Sequence, residues 1–487
     1  MNKEVQNLEP KALWANFYKL TRVPRPSNHE EQARKFMMEW AKENRIETEM
    51  DEAGNIILRK AATPGMENRK GVILQGHLDM VPQKNSDTVH DFEKDPINAY
   101  IDGEWVRARG TTLGADNGIG VAAGMALLTA TDIEHGPLEL LITATEETGM
   151  DGANGLKPGV LKGEILLNLD SETEGELYVG CAGGLDATVE FNLKEEAVPA
   201  GHKAFTLALK GLKGGHSGMD INLGRGNSNK LLFRFLKAHA QELGLRLASV
   251  NGGSLRNAIP RESFAVVTVP EKNVPALQAT VKKTEEIYKA ELKEKDAGVT
   301  LTAEATALPA AVWSADLQTR LTNAVVACPN GTVRMIDSMP DTVETSNNLA
   351  IVKSADGRIT INTLMRSSVE TAKEALADSL HAVFELAKAD RIAFEGGYPG
   401  WKPNPDSAIL KEMQETYQRM YNKKPRVMAI HAGLECGILG SKYLNWDMIS
   451  FGPTICSPHS PDERVNIPSV GKFWDFMKEV LKNIPKK

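Results

Sequence analysis

Apolar residues recur at helical spacing over residues 10–21, and again through SNHEEQARKFMMEWAKE, where Ser27 and Glu30 have the spacing of a capping box. Two opening helices are therefore expected. The pattern then changes. IETEMDEAGNIILRK reads as two strands around a turn at Ala53, Gly54 and Asn55, and GVILQG (71–76) is a short apolar run of the kind that makes a strand buried on both faces. LELLITA (138–144) and EILLNLD (164–170) are two more such runs, and the Ala/Gly-rich NGIGVAAGMALLTA lies between the first run and the second. Strand, helix, strand in that order predicts a largely parallel sheet.

From about residue 186 the texture becomes one of alternating strands, such as KAFTLALKGL and SFAVVTV, and charged helices, such as PALQATVKKTEEIYKAELKEK. It continues through GRITINTLMRSS and a helix at about 369–389 to a Gly/Pro-rich return, GGYPGWKPNPDS. Short apolar runs, VMAIHAG and DMISFG, then reappear before a terminal helix at 470–483. The simplest architecture is an α/β domain in two pieces, 1–185 and 398–487, with a mostly parallel central sheet, interrupted by an inserted α+β lid at 186–397.

The chain has 487 residues, which favours two folding units, and its 41% hydrophobic and 25% charged content is that of a globular protein. With 57 Lys plus Arg against 64 Asp plus Glu there is no basic excess to neutralise phosphates, so nucleic acid is not an expected partner. The N-terminal sequence carries acidic residues and no apolar signal-like core, and no apolar run reaches the length of a bilayer span. A cytoplasmic protein without a membrane partner is expected. Cys181, Cys328, Cys436 and Cys456 lie far apart with no CxxC pair, which suits small buried residues in a reducing compartment.

In an open parallel sheet, ligands collect beyond the carboxyl ends of the strands. The apolar runs end there in GHLDMVP, TATEETG and NLDSE, which supply His77, Asp79, Glu146, Glu147 and Asp170; Asp116 in GADNG stands at the mouth of the Ala/Gly-rich helix. A single strand-end Asp is more often a cap or turn residue. Several acids and a histidine gathered at one edge repel unless a cation neutralises them, so together they point to a divalent metal site. Mixed imidazole and carboxylate ligands suit zinc, and five such groups suffice for two ions about 3.5–4 Å apart if one carboxylate bridges. Among the ten histidines, His459 in CSPHSPDE and His431 in IHAGLECG are the candidates for the fifth.

The segments GHLDMVP, GADNG, TEETG, LDSE and PHSPDE resemble those of the dizinc metallopeptidases that include aminoacylases, glutamate carboxypeptidases and cytosolic dipeptidases. The resemblance spans nearly the whole chain and is closest to the dipeptidases, through LQGHLDMVPQK, RGTTLGADNGIG, LKGGHSG, LRNAIPRE and IHAGLECG. It implies a dizinc aminopeptidase-like catalytic domain holding two Zn2+ per subunit, with cobalt or manganese as substitutes. Asp116 would be the bridging carboxylate, His77 and Asp170 would serve one zinc, and Glu147 and His459 the other. Asp79 would orient the His77 imidazole. Glu146 would be the general base for a metal-bridging water that attacks the peptide carbonyl.

In the inserted domain the resemblance makes His216, in KGGHSGMD, an oxyanion contact, and gives Asn257 the scissile carbonyl and Arg366 the substrate's terminal carboxylate; an ordinary salt bridge is an equal account of Arg366. The implied reaction is hydrolysis of unprotected dipeptides with broad specificity, including Xaa-His peptides such as β-alanyl-histidine. An N-acyl-amino-acid amidohydrolase, aminoacylase or desuccinylase, on the same dizinc site is the nearest alternative, and a metal-free peptide-binding protein is one of another kind. A lid of about two hundred residues has room for dimer-forming surface, so a homodimer is expected, with His216 serving either its own site or its partner's.

Overall fold

In the computed structural model, which describes residues 4–487, the chain divides into two compact units. The first comprises the described residues up to Gly180 together with Pro403–Ala429 and Leu434–Lys487; the second comprises Cys181–Lys402 and Ile430–Gly433.

An eight-stranded sheet forms the centre of the first unit. Its middle strands, Leu138–Thr143, Val72–His77, Ile165–Asn168 and Asp447–Ser450, are adjacent in that order and mutually parallel. The first three are buried at every position, as strands covered on both faces must be, and polar residues within them such as Gln75, Glu139 and Asn168 are buried with the rest. Glu47–Met50 and Ile56–Lys60 add an antiparallel edge. The Ala/Gly-rich segment forms the helix Ala115–Thr129, whose composition reflects a close approach to the sheet. A Cβ on Gly124 would lie 2.5 Å from Leu140 Cδ1, and one on Gly120 would lie 2.7 Å from the Leu169 carbonyl oxygen.

Register then places the strand ends. His77 pairs with Thr143, and Gln75 pairs with Asn168, so Asp170 falls level with His77 and the residues after Thr143 emerge beside both. The terminal helix Ile467–Asn483, capped by the Asn466 side chain accepting from the Ser469 amide, buries Phe473, Phe476, Met477, Val480 and Leu481.

The two opening helices span Lys11–Thr21 and Glu31–Glu43, but the capping box expected at Ser27 and Glu30 does not form. Ser27 Oγ instead donates to Asp79 Oδ2 at 2.7 Å, and Glu30 Oε1 accepts from the Thr145 amide at 3.0 Å and its hydroxyl at 2.8 Å. Buried donors and acceptors beside the strand ends had a stronger claim on these side chains than the water-accessible helix start.

The second unit is built on a nine-stranded sheet whose pairings are all antiparallel, from Thr300–Thr306 at one edge to Arg391–Tyr398 at the other. The helices Ser228–Leu243, Val274–Glu291, Ala315–Ala327 and Glu370–Leu386 contribute to one apolar core with the sheet, around Phe191, Phe233, Phe235, Trp313 and Phe384. A short ribbon, Gly215–His216 against Ala258–Ile259, stands apart from the sheet. Cys181, Cys328 and Cys436 are buried, and burial pushes the Cys328 thiol up to about 12, as suits an inert core residue. Among the described residues no helix is long and apolar enough to cross a membrane.

Candidate metal centre

The strand ends of the first unit converge on Asp116. Its Oδ1 lies 3.0 Å from His77 Nε2, and its Oδ2 lies 3.3 Å from His459 Nε2. His77 Nε2 is also 3.4 Å from Asp170 Oδ1, and His459 Nε2 is 3.0 Å from Glu147 Oε2. Two groups able to hold a cation follow, His77, Asp116 and Asp170 on one side and Asp116, Glu147 and His459 on the other, with Asp116 common to both. A third combination, His77 with Glu146 and Glu147, is also within ligating reach. All five residues expected as ligands are thus in one place. His431 is in none of these groups; it belongs to the second unit, 6% exposed, with Nε2 2.7 Å from Ser346 Oγ.

Asp116 escapes the helix that follows it. Its backbone, with ψ 112, is extended although it stands in the first turn. His459 is reached through another unusual stretch, with Ser457 (φ 54) and His459 (φ 58) both left-handed. Non-glycine residues adopt that region at a cost that the surrounding structure must offset.

His77 Nδ1 faces Asp79, 3.1 Å from its carbonyl oxygen and 3.3 Å from carboxylate Oδ1. The Asp79 carboxylate also accepts the Glu146 amide (2.9 Å to Oδ1), the Glu147 amide (3.2 Å to Oδ2) and the Ser27 hydroxyl. Asp79 therefore positions the Glu146–Glu147 turn as much as the imidazole.

The electrostatics are those of a site built for cations. Burial would lower the proton affinity of His77, but Asp170, Asp116 and Asp79 hold it well above the ordinary histidine value. His459 is pushed up to about 11 by its bonds to Asp116 and Glu147. Burial pushes Asp170 well up and takes Glu146 to about 8, helped by Glu435, Glu147 and Asp116 against the pull of His77. Among the described residues Glu147 Oε1 is buried without a hydrogen-bond partner, and Asp170 Oδ1 has only the long 3.4 Å approach of His77 Nε2. Buried carboxylates so poorly supplied with donors, beside imidazoles whose proton affinity those acids raise, fit divalent cations as the neutralising charge.

Comparison with known proteins decides the family. Residues 73–483 match the model for peptidase family M20/M25/M40. The chain belongs to that family. It is 52% identical over 484 residues to the cytosol non-specific dipeptidase of Escherichia coli (strain K12), an alignment covering 99% of this chain and all of that protein. Its fold matches the crystal structure of aminoacylhistidine dipeptidase from Vibrio alginolyticus with a TM-score of 0.96 and 50% identity, over 100% of this chain and 99% of that one. A tripeptidase from Staphylococcus aureus subsp. aureus mu50, at 15% identity and TM-score 0.56 over 98% and 99% of the two chains, shares the fold.

Within this M20-family chain, the three remaining candidates all lie in the second unit. His216 Nδ1 accepts the amides of Gly218 (3.1 Å) and Met219 (3.0 Å), so a neutral ring carries its proton on Nε2. Burial and then Arg366 lower its proton affinity, against Asp220. Asn257 immediately precedes the ribbon's other strand, Ala258–Ile259; its carbonyl accepts the Ser217 amide at 2.8 Å and the residue is exposed. Arg366, 5% exposed, donates to Ser217 Oγ (3.2 Å) and Tyr398 Oη (3.1 Å), and among the described residues no carboxylate forms an ion pair with it.

Four more residues bear on the site without having been expected there. Arg25 donates to the carbonyls of Leu78, Asp79 and Gly114, and Glu463 accepts the amides of Leu113, Gly114, Ala115 and Asp116. Glu30 fixes Thr145, left-handed at φ 53, before the Glu146–Glu147 turn. Glu435 is buried beneath the strand ends, bonded to Gln75 Nε2 (2.6 Å) and Thr143 Oγ1 (2.8 Å), and burial takes it to about 7. Only its place beside a histidine in IHAGLECG could have singled out Glu435.

Proposed function

We propose that the chain is a cytoplasmic dizinc dipeptidase that hydrolyses unprotected dipeptides, including Xaa-His dipeptides such as β-alanyl-histidine. The observation that carries this reading is the pair of ligand groups sharing Asp116, with Glu146 left beside them, in a chain similar over its whole length to a dipeptidase. His77, Asp116 and Asp170 would hold one ion and Asp116, Glu147 and His459 the other. Zinc ions so held would polarise a peptide carbonyl and make water acidic enough to lose a proton near neutral pH.

The protein's own part is proton handling and orientation. Glu146, fixed by its amide to Asp79 and not required as a ligand, takes a proton from the attacking water as the oxygen bonds to the carbonyl carbon. It returns that proton to the nitrogen as the C–N bond breaks, and the amine leaves neutral. His216 has an Nε2–H to offer the developing oxyanion, because its Nδ1 is occupied by two amides. Arg366, buried and forming no ion pair among the described residues, suits the carboxylate at the end of a short substrate, and Asn257 the scissile carbonyl. A homodimer formed through the second unit belongs to the same reading; that unit leaves Ile287, Leu308, Val333 and Leu386 exposed.

The test is metal analysis with ligand variants. Two zinc ions per subunit are expected, with activity lost on chelation and restored by zinc. Replacing His77, Asp116, Glu147, Asp170 or His459 by Ala should lower bound zinc and abolish hydrolysis; full activity in any two of these variants would refute the ligand set.

A further inference from the structure

Beneath the Asp116 loop lies a buried pair of opposite charges that serves backbone atoms. Glu463, 2% exposed, accepts four consecutive amides: Leu113 (2.7 Å) and Gly114 (2.9 Å) on Oε2, Ala115 (2.8 Å) and Asp116 (3.1 Å) on Oε1. Arg25, also 2% exposed, donates to the carbonyls of Leu78 (2.8 Å) and Asp79 (3.1 Å) through Nη1 and to that of Gly114 through Nη2. Glu463 is itself four residues beyond His459, with its amide on the Ser460 carbonyl at 2.9 Å. Between them the two side chains tie together the segment after His77, the loop that ends in Asp116 and the loop that carries His459.

We propose that Arg25 and Glu463 are positioning residues for the metal centre, a charged brace that keeps Asp116 within reach of both histidines so that both cation positions depend on it. This rests on the ligand set proposed above. Burying a carboxylate and a guanidinium is expensive, and a loop needing only an anchor is more cheaply held by a neutral Asn or Ser. What a carboxylate adds is two oxygens that accept four amides at once, which no neutral side chain can do. Asp116 has one side chain to share between two clusters, so its backbone has little room to drift. A shift of the 113–116 loop away from the 457–463 loop lengthens Asp116 to His459, and a shift away from Leu78–Asp79 lengthens Asp116 to His77.

Glu463→Gln tests the brace with little change of volume. The amide keeps one acceptor oxygen and turns its NH2 toward two amides that also donate. Arg25→Lys keeps the charge but cannot span the Leu78–Asp79 carbonyls and Gly114 together. Zinc affinity of the metal-depleted full-length proteins, measured by competition with a chromophoric chelator, should fall about 10–100-fold in Glu463→Gln at both ion positions, and in the same direction in Arg25→Lys. Asp447→Asn is the control for a purely structural loss, since Asp447 caps the helix Ala408–Tyr421 through Ser407 and Ile409; it should lower the melting temperature and leave zinc affinity unchanged. Zinc affinity within twofold of wild type in folded Glu463→Gln and Arg25→Lys would overturn the brace. Should Glu463→Gln not fold, Arg25→Lys decides by the same criterion. Wild-type protein that takes up no zinc would overturn the ligand set and the brace with it, whereas tight binding by wild type and both variants alike would overturn the brace alone.

Discussion

Asp79→Asn changes one atom at the junction of the His77 strand and the Glu146–Glu147 turn. Four donors converge on the native carboxylate: the Glu146 amide and His77 Nδ1 on Oδ1, the Glu147 amide and the Ser27 hydroxyl on Oδ2. An asparagine has one acceptor oxygen. Ser27 can turn, because its hydroxyl also lies 3.3 Å from the Met80 carbonyl, so the favoured flip keeps the oxygen on Glu146 and points the NH2 at Ser27 and Glu147. His77 keeps the Asp79 carbonyl at 3.1 Å, so its tautomer survives. The net loss is one buried acceptor for the Glu147 amide, about 1–3 kcal/mol, or roughly 5- to 150-fold. It falls on the turn and not on the sheet, because Thr145 (φ 53) and Met150 (φ 55) are already held in costly conformations at either end. Zinc affinity and kcat/KM for alanyl-histidine, followed by amino-acid release, should both fall within that range. Values within twofold of wild type for both would refute the reasoning.

Glu146→Gln should keep both zinc ions and lose at least about a hundredfold in kcat, the usual worth of a general base; loss of metal instead would mean that Glu146 and Glu147 have exchanged roles. His216→Ala should depress kcat about 100- to 1,000-fold while KM changes little, because an oxyanion contact forms mainly in the transition state; steady-state kinetics with an unchanged kcat would contradict it. Zinc binding should be pH-dependent with a definite sign. His459, held up at about 11, is protonated in the metal-free protein at pH 7 and must lose that proton to ligate, so affinity should rise about tenfold per pH unit for each proton displaced. Calorimetry at pH 7 in buffers of different ionisation enthalpy reads the release directly, and binding without proton release would count against His459 as a ligand.

The strand ends were legible because runs such as VILQG and LELLIT are mostly apolar, broken only by Gln75 in the first and by Glu139 and Thr143 in the second, and a run of that kind has few places to go but a covered parallel sheet. Once those strands are parallel and in register, His77, Glu146, Glu147 and Asp170 must share an edge. The supporting residues were hidden for a physical reason. Glu463 and Arg25 act on backbone amides and carbonyls of segments up to 350 positions away, and nothing in a backbone's sequence announces that it needs a partner. Ser27 and Glu30 misled because a local explanation, a capping box, fitted their spacing equally well; tertiary contacts with Asp79 and Thr145 took precedence. The grouping of His431 with the second unit depends on only four residues, Ile430–Gly433, and no pattern of hydrophobicity marks so short a return.

The most direct test of the dipeptidase reading is substrate choice by the zinc-loaded protein. A dipeptidase must recognise a free amino group and a free carboxylate on one short molecule, the first by acids near the metals and the second by a cation such as Arg366. An N-acetyl cap removes the first charge, and a third residue displaces the second. Turnover efficiency should therefore be high for β-alanyl-histidine and alanyl-histidine and poor for N-acetyl-histidine and alanyl-alanyl-histidine. If N-acetyl-histidine is the best substrate of the four, the protein is an aminoacylase and the account of its substrate is wrong.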